Sequence, residues 1–585
     1  MQTKWDLTKL YKSQKDPKIQ KDIDKSKKAV EQFESKWKNR QDWLKDPKIL
    51  KQTLDEYEKL SGEIGICGVV GYYYSLKNAL NSDDTEVKAK INQLHQIEVE
   101  LVNKLEFYDL KLSKINKANQ KKFLEDPLLK EYKHYLERLF EVSKYLLSEK
   151  EEILLNIKGK TSHSNWVSMT SRLLQKQERK VLNEEGNKEV KNFSEIISLM
   201  NNKNQKVRDS AARAFHDINA KYAEIAENEM NSILENKFND DKLRSLEYPE
   251  RSRLLSDDID KEVVEAMLEA VSSRNSLAHK YYKLKAKLLG KKYLKYHERN
   301  VPIGDSGKKY SYNQASEIVS TVMTNLDQDF GDIFNKFTNQ GHIDVYPQKG
   351  KTSGAFCACD LKTSPVYILL NFTGQIDDIT TLAHEAGHGI NDELMKSQNA
   401  LNFGSPLSTA EVASTFFQDF ALDEIMKRSD SKTRKLLLMD RLNDDVSSIF
   451  RQVAAYKFEQ ELHSQFREKG YLSKDEIGKI FQKHMVAYMG EYVRQDEGSE
   501  NWWVYWGHFR RFFYVYSYAS GLLISKALHG MVREDPKNIK KVKYFLSAGT
   551  SKSPKDILLD VGVDIGKREF WNKGLDEIEL IVTSD

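Results

Sequence analysis

At 585 residues the chain exceeds what one ordinary hydrophobic core serves, so two or more lobes are expected. Hydrophobic residues at 39% and charged residues at 31% exclude a disordered chain. The 92 basic and 88 acidic residues leave a net charge of +4, which argues against the one-signed footprint of a nucleic-acid or membrane-surface binder. No window approaches 18 uninterrupted apolar residues, and Met1–Leu10 has no apolar h-region, so neither a spanning helix nor a signal peptide is expected. The three cysteines, Cys67, Cys357 and Cys359, suit a reducing compartment better than a disulfide framework, and the expected location is cytoplasmic.

In chain order, residues 1 to about 190 read as amphipathic helices rich in Lys, Glu and Leu, a helical lobe of their own. Short breaks at Asp46-Pro47, Asn81–Asp84 and Glu125–Pro127 imply antiparallel neighbours, as in a bundle. Gly62, Gly65, Gly68 and Gly71 recur every three residues, a pattern that suits close helix–helix packing. The second lobe, 191–585, continues helical, with helices expected over Asn204–Met230 and Asp260–Leu289 and Gly290 as a C-terminal cap. A less regular segment, Val301–Gly307, precedes another helix led by Tyr310–Ser316.

The pattern changes at Pro347. A glycine-containing loop, Pro347–Gly354, leads into two short apolar runs, Ala355–Cys359 and Val366–Phe372. The second reads as a buried strand, and the pair predicts a small antiparallel sheet whose edge could accept an extended peptide. Cys357 and Cys359 fit a packed strand better than a metal site, since no ligating partners accompany them.

Next comes Thr381-Leu-Ala-His384-Glu385-Ala-Gly-His388, which contains His-Glu-x-x-His. Residues four apart share a helix face, so His384 and His388 can aim two imidazoles at one ion. Glu385 sits where it reaches a water on that ion without ligating it, the layout of a zinc hydrolase with a glutamate base. Ile376, Ile379, Ala383, Ala386 and Ile390 form an apolar stripe beside the histidines. A zinc ion needs a third protein ligand, and Glu411 is the best candidate, 23 residues after His388. Ser408-x-x-Glu411 could be a capping box, but Ser405-Pro406 is the better helix start and predicts Glu411 in the second turn. Farther on, Asn501–Gly521 packs ten aromatics around His508, and its hydroxyls suit an oxyanion. Tyr514 and Tyr518 share a face by i, i+4 spacing, whereas Tyr516 points elsewhere.

These landmarks together resemble the oligoendopeptidase F branch of the thimet-oligopeptidase-like metallopeptidases. The likeness runs from Trp5–Tyr11 through Gly350–Ala355, Val366–Asn371, Leu382–His388 and Ala410–Phe416 to Phe513–Gly521 with His508 before it. The resemblance implies a mostly α, two-lobed body with a deep central channel and the small sheet beside the active-site helix. It implies one Zn2+ on His384, His388 and Glu411, Glu385 as general base, and His508 with Tyr514 and Tyr518 stabilising the transition state. The implied substrates are internal bonds of short unfolded oligopeptides. A carboxypeptidase would need a cation for the substrate C-terminus, for which Arg510 and Arg511 are available, and a pure peptide binder would have no use for Glu385. The sequence sets no oligomeric state.

Overall fold

The computed structural model describes residues 1–65, 68–304 and 307–583. Cys67 and the end of the irregular segment, Asp305-Ser306, lie outside the described residues. The fold is mostly α, and the chain forms two compact units, each assembled from three separated segments.

The first unit comprises Met1–Lys144, Gly307–Arg428 and Leu528–Asp564. Its helices begin where the sequence supplies caps. Asp16, Asp46 and Asp84 accept hydrogen bonds from the first-turn amides of helices Pro17–Trp37, Pro47–Lys59 and Thr85–Ser113. The first two also carry Pro at the start, where its missing N–H is no loss. Asp126 likewise caps the 3-10 turn Pro127–Tyr132, so all three expected breaks are helix boundaries. Trp37, Trp43, Leu54 and Tyr108 are fully buried between these helices, and Trp43 stacks on Tyr108 at 5.1 Å.

The glycine series does not lie on one helix. The chain leaves a π-turn over Leu60–Ile64 at Gly65, whose φ is +65°, and the next helix starts at Gly68. Close packing holds only locally: a Cβ at Gly62 would sit 2.2 Å from the Ala400 Cβ, while one at Gly71 would meet open space.

The sheet has three strands, with Tyr367–Leu369 in the middle. Phe356–Ala358 pairs with it antiparallel, Cys357 opposite Ile368, as the two apolar runs predict. The third strand, Ile343–Asp344, is parallel to the middle one and was not expected, being only two residues long. The opening segment braces this sheet. The Trp5 indole N–H donates to the Ile368 carbonyl at 2.8 Å, and the Tyr367 hydroxyl donates to the Asp6 carbonyl at 2.7 Å. The loop Pro347–Gly354 is tied to the end of helix Gly68–Leu80, with Thr352 N–H on the Ala79 carbonyl at 2.8 Å.

The second unit comprises Tyr145–Ser306, Ser429–Ala527 and Ile565–Asp585. Its long helix, capped by Asn204, runs Gln205–Leu243, well past Met230. The helix expected over Asp260–Leu289 is two helices, Lys261–Ser273 and Asn275–Leu288. They divide at Arg274, which leaves helical geometry and ion-pairs with Asp576 and Glu579 at 2.5 and 2.6 Å. Gly290 is the C-terminal cap, with φ +68° and the Lys291 N–H returning to the Ala286 carbonyl. A hairpin, Glu178–Leu182 with Lys188–Asn192, interrupts what reads as continuous helix. Its signal is the turn Asn183-Glu-Glu-Gly186, with Gly186 at φ +83°.

Candidate metal centre

Helix Ile376–Met395 carries His-Glu-x-x-His. Ile379, Ala383, Ala386 and Ile390 are completely buried and Ile376 nearly so, which anchors the helix by the expected stripe. The two imidazoles stand at its edge, ring centres 5.1 Å apart. Glu411 meets them. Its Oε2 lies 3.4 Å from His384 Nε2 and 3.5 Å from His388 Nε2. One donor atom from each of the three residues falls within a 4.8 Å cluster.

Glu411 arrives there by a different route from the expected one. Helix Val412–Lys427 begins after it, not at Ser405-Pro406, and residues 406–411 form turns closed by Thr409 N–H on Pro406 and Val412 N–H on Thr409. Glu411 thus occupies the cap position, yet its side chain caps nothing and reaches the histidines instead. Ser414 Oγ donates to Glu411 Oε2 at 2.9 Å and fixes the carboxylate. The two histidines hold that carboxyl well below the usual range, against the opposing effect of burial. The approach of the two helices requires Gly387. A Cβ there would lie 2.8 Å from the Ser414 Cα and 2.9 Å from the Ala413 carbonyl oxygen. Gly387→Ala should therefore destabilise the fold by about 1–3 kcal/mol, since backbone cannot yield as a side chain can. Thermal unfolding checks this; an unchanged midpoint would contradict the close crossing.

Two further partners were not read from the sequence. Gln418 Oε1 lies 2.8 Å from His384 Nδ1. The amide oxygen can only accept, so Nδ1 carries the proton and the Nε2 lone pair is left free to ligate a metal. Gln418 sits seven residues after Glu411, two helical turns on, and that spacing is the signal that could have found it. Gln418→Leu should weaken metal affinity about 10–100-fold, while Gln418→Glu, still an acceptor, should retain most of it. Competition with a fluorescent chelator measures both; equal losses would remove the orienting role.

Glu385 is 7% exposed, and burial raises its carboxyl pKa, partly offset by the two histidines. The edge strand Phe356–Ala358 packs against the helix that carries it, and the Cys357 backbone favours the charged carboxylate. Cys357 and Cys359 are free thiols and belong to no metal-competent group among the described residues. Cys357 Sγ lies 3.9 Å from Asp392 Oδ2, and burial pushes its thiol pKa up, which keeps it protonated.

A second acidic cluster, Asp209, His297 and Glu298, has similar spacing. Its carboxylates are already neutralised: Asp209 by Lys295 at 3.1 Å, Glu298 by Arg208 at 2.9 Å and by Lys291. Among the described residues no cation pairs with Glu411 except the two histidines, so the first cluster has the chemistry of a metal site and the second that of an ion-pair network.

The aromatic stretch lies in the second unit, and Asn501–Gly521 is not one helix. It comprises 3-10 turns Ser499–Val504 and Gly507–Arg510, then Phe512 and Phe513 at φ +45° and +57°, then helix Tyr516–Glu534. Positive φ at two aromatics is strained. Glu459 accepts the Phe513 N–H at 2.9 Å and pins the turn. Tyr514 precedes the helix, so helical spacing does not unite it with Tyr518. The strained turn does, with ring centres 5.8 Å apart, and the Tyr514 hydroxyl bonds His508 Nδ1. Burial lowers the His508 pKa, helped by Arg451 and Arg511. Tyr516 does point elsewhere, donating to buried Asp257 at 2.8 Å. Arg510 is spent internally, on Glu229 at 2.9 and 3.1 Å and on the carbonyls of Trp503, Val504 and Trp506.

A buried glutamate beside a His2Glu cluster on a helical body is the arrangement of the metal-dependent hydrolases. The family model described as Peptidase family M3 matches residues 198–577, and that described as Oligopeptidase F matches 111–185. The chain belongs to peptidase family M3 and is a peptidase of the oligoendopeptidase F group. It is 27% identical over 580 residues to the oligoendopeptidase F homolog of Borreliella burgdorferi, covering 97% of this chain and 94% of that one. It is 26% identical over 518 residues to the plasmid oligoendopeptidase F of Lactococcus lactis subsp. cremoris, covering 87% and 85%. In fold it resembles a Chlamydophila abortus protein with a TM-score of 0.87 at 22% identity, over 99% and 97% of the two chains. It also resembles oligoendopeptidase-F from Enterococcus faecium with a TM-score of 0.68 at 16% identity, over 97% and 98%. No helix among the described residues is long and apolar enough to cross a membrane.

Proposed function

We propose that this chain is a zinc-dependent endopeptidase that hydrolyses internal bonds of short unfolded peptides. The observation that carries the reading is the convergence of His384, His388 and Glu411 on one point, with buried Glu385 beside them. Two imidazoles and one carboxylate are a donor set that suits zinc. A zinc ion held there would acidify a water and polarise the scissile carbonyl. Glu385 takes the water proton at its carboxylate and passes it to the leaving amine nitrogen. His508, Tyr514 and Tyr518 donate hydrogen bonds to the carbonyl oxygen as its charge grows. Their mutual contacts, with the resemblance, support that role.

Along the sequence the catalytic module is assigned to 191–585 and an N-terminal helical part to 1–190, supported by family matches that fall on either side of that boundary, although in the fold residues 1–144 join 307–428 in one compact unit. A cytoplasmic location is supported by the free thiols of Cys357 and Cys359. The carboxypeptidase reading loses one of its two cations, because Arg510 is buried on Glu229.

The test is digestion of an internally quenched peptide of roughly ten residues, the size the resemblance implies, with both ends blocked. Internal cuts that vanish with chelator and return with zinc are expected. Cleavage of only the free-ended peptide would overturn the endopeptidase assignment, and chelator-resistant cleavage would overturn the metal one.

A further inference from the structure

A cavity of about 270 Å³ in the second unit is lined by His297, Arg299, Arg451, Gln452, Trp502 and His508, among others. That size holds one side chain or one chain end rather than a whole ligand. No carboxylate lines it among the described residues. The nearby acids face other cations: Asp209 accepts His297 Nε2 at 3.0 Å and Lys295 at 3.1 Å, and Glu298 accepts Arg208 at 2.9 Å.

The lining is polar and unsatisfied. Arg299 Nε, Arg451 Nε, His297 Nδ1 and Gln452 Oε1 are buried with no hydrogen-bond partner among the described residues. Arg299 is 5% exposed and lies between the rings of Tyr296 and Trp502, 4.2 Å from each, with one NH donated to the Tyr296 carbonyl. Stacked rings fix a guanidinium in place without neutralising it. Arg451 takes part in no ion pair among the described residues, although it lies near enough to His508 to help depress its pKa. Two cations held together without an acid are unfavourable unless an anion joins them.

We infer that this pocket binds a carboxylate of the peptide substrate, with Arg451 and Arg299 as its specificity-determining pair next to His508. The guanidinium fork matches a carboxylate and is already oriented by the stacking. The carboxylate has two sources, an Asp or Glu side chain or the free C-terminus of a short peptide. The inference rests on the peptidase reading through His508, but binding to the pocket needs no turnover.

The test uses labelled peptides in two matched pairs. One pair differs in Asp against Asn, the substitution walked across the positions flanking the scissile bond. The other differs in a free C-terminal carboxylate against an amide. Dissociation constants are read by fluorescence anisotropy on metal-loaded Glu385→Gln protein, and kcat and KM on the active enzyme. At least one pair should favour the acid by about tenfold, expressed in Kd and KM rather than kcat, and the responding pair identifies the source. Adding Arg451→Gln should bring that ratio to about one, whereas Arg451→Lys, which keeps the charge, should keep part of it. Acid-to-neutral ratios of one for both pairs, or ratios untouched by Arg451→Gln, would overturn the inference. Failure of every peptide to be cleaved while the acidic one still binds preferentially would overturn the peptidase reading and leave the pocket standing.

Discussion

Glu385→Gln should lower kcat by about 10²–10⁴-fold while the protein keeps one metal ion per chain. The change is isosteric, so the local geometry survives. Burial disfavours the charged carboxylate at this position, so a neutral amide carries a smaller desolvation cost and stability should not fall. Parallel measurement of turnover, metal content and thermal unfolding separates the outcomes. Near-wild-type turnover would remove Glu385 from the mechanism. Loss of metal together with turnover would make it a ligand rather than a base.

Glu411→Ala should abolish both metal binding and activity, with affinity reduced by more than about 100-fold, because two imidazoles leave the ion one protein ligand short. The loss should exceed that of Gln418→Leu, which only misorients one imidazole. Removal of Glu411 also frees Ser414 Oγ from its carboxylate bond, so the helix start loses one tether. Equilibrium dialysis against zinc, followed by activity at saturating metal, tests the assignment. If saturating zinc restored full activity, Glu411 would be dispensable, and another group would complete the site.

Much of the site was legible because its logic is local. A four-residue helical repeat places His384 and His388 together whatever surrounds them, and the apolar stripe says which side faces inward. The Asp caps before Pro17, Pro47 and Pro127 are equally local, since each satisfies amides two or three residues on. Periodicity misled where two short-range signals compete. Gly62 to Gly71 looks helical by spacing, but Gly65 adopts a positive φ that ends the helix. Tyr514 and Tyr518 have helical spacing, yet the backbone between His508 and Tyr516 turns through two positive-φ phenylalanines held by Glu459.

The sequence by itself determined the mostly helical class and brought His384, His388 and Glu385 together on one helix, because these follow from residue types at fixed short spacings. Only the tertiary structure decided that Glu411 approaches from a turn rather than a helical face, that Gln418 sets the His384 tautomer, and that an edge strand packs against the helix bearing Glu385. It also decided that Arg510 is spent on Glu229 while Arg451 pairs with no acid among the described residues. These last facts depend on partners from 4 to 281 residues away along the chain, which no local pattern encodes. The physical reason is that a buried charge is specified by what packs against it, and packing brings together residues that sequence spacing keeps apart.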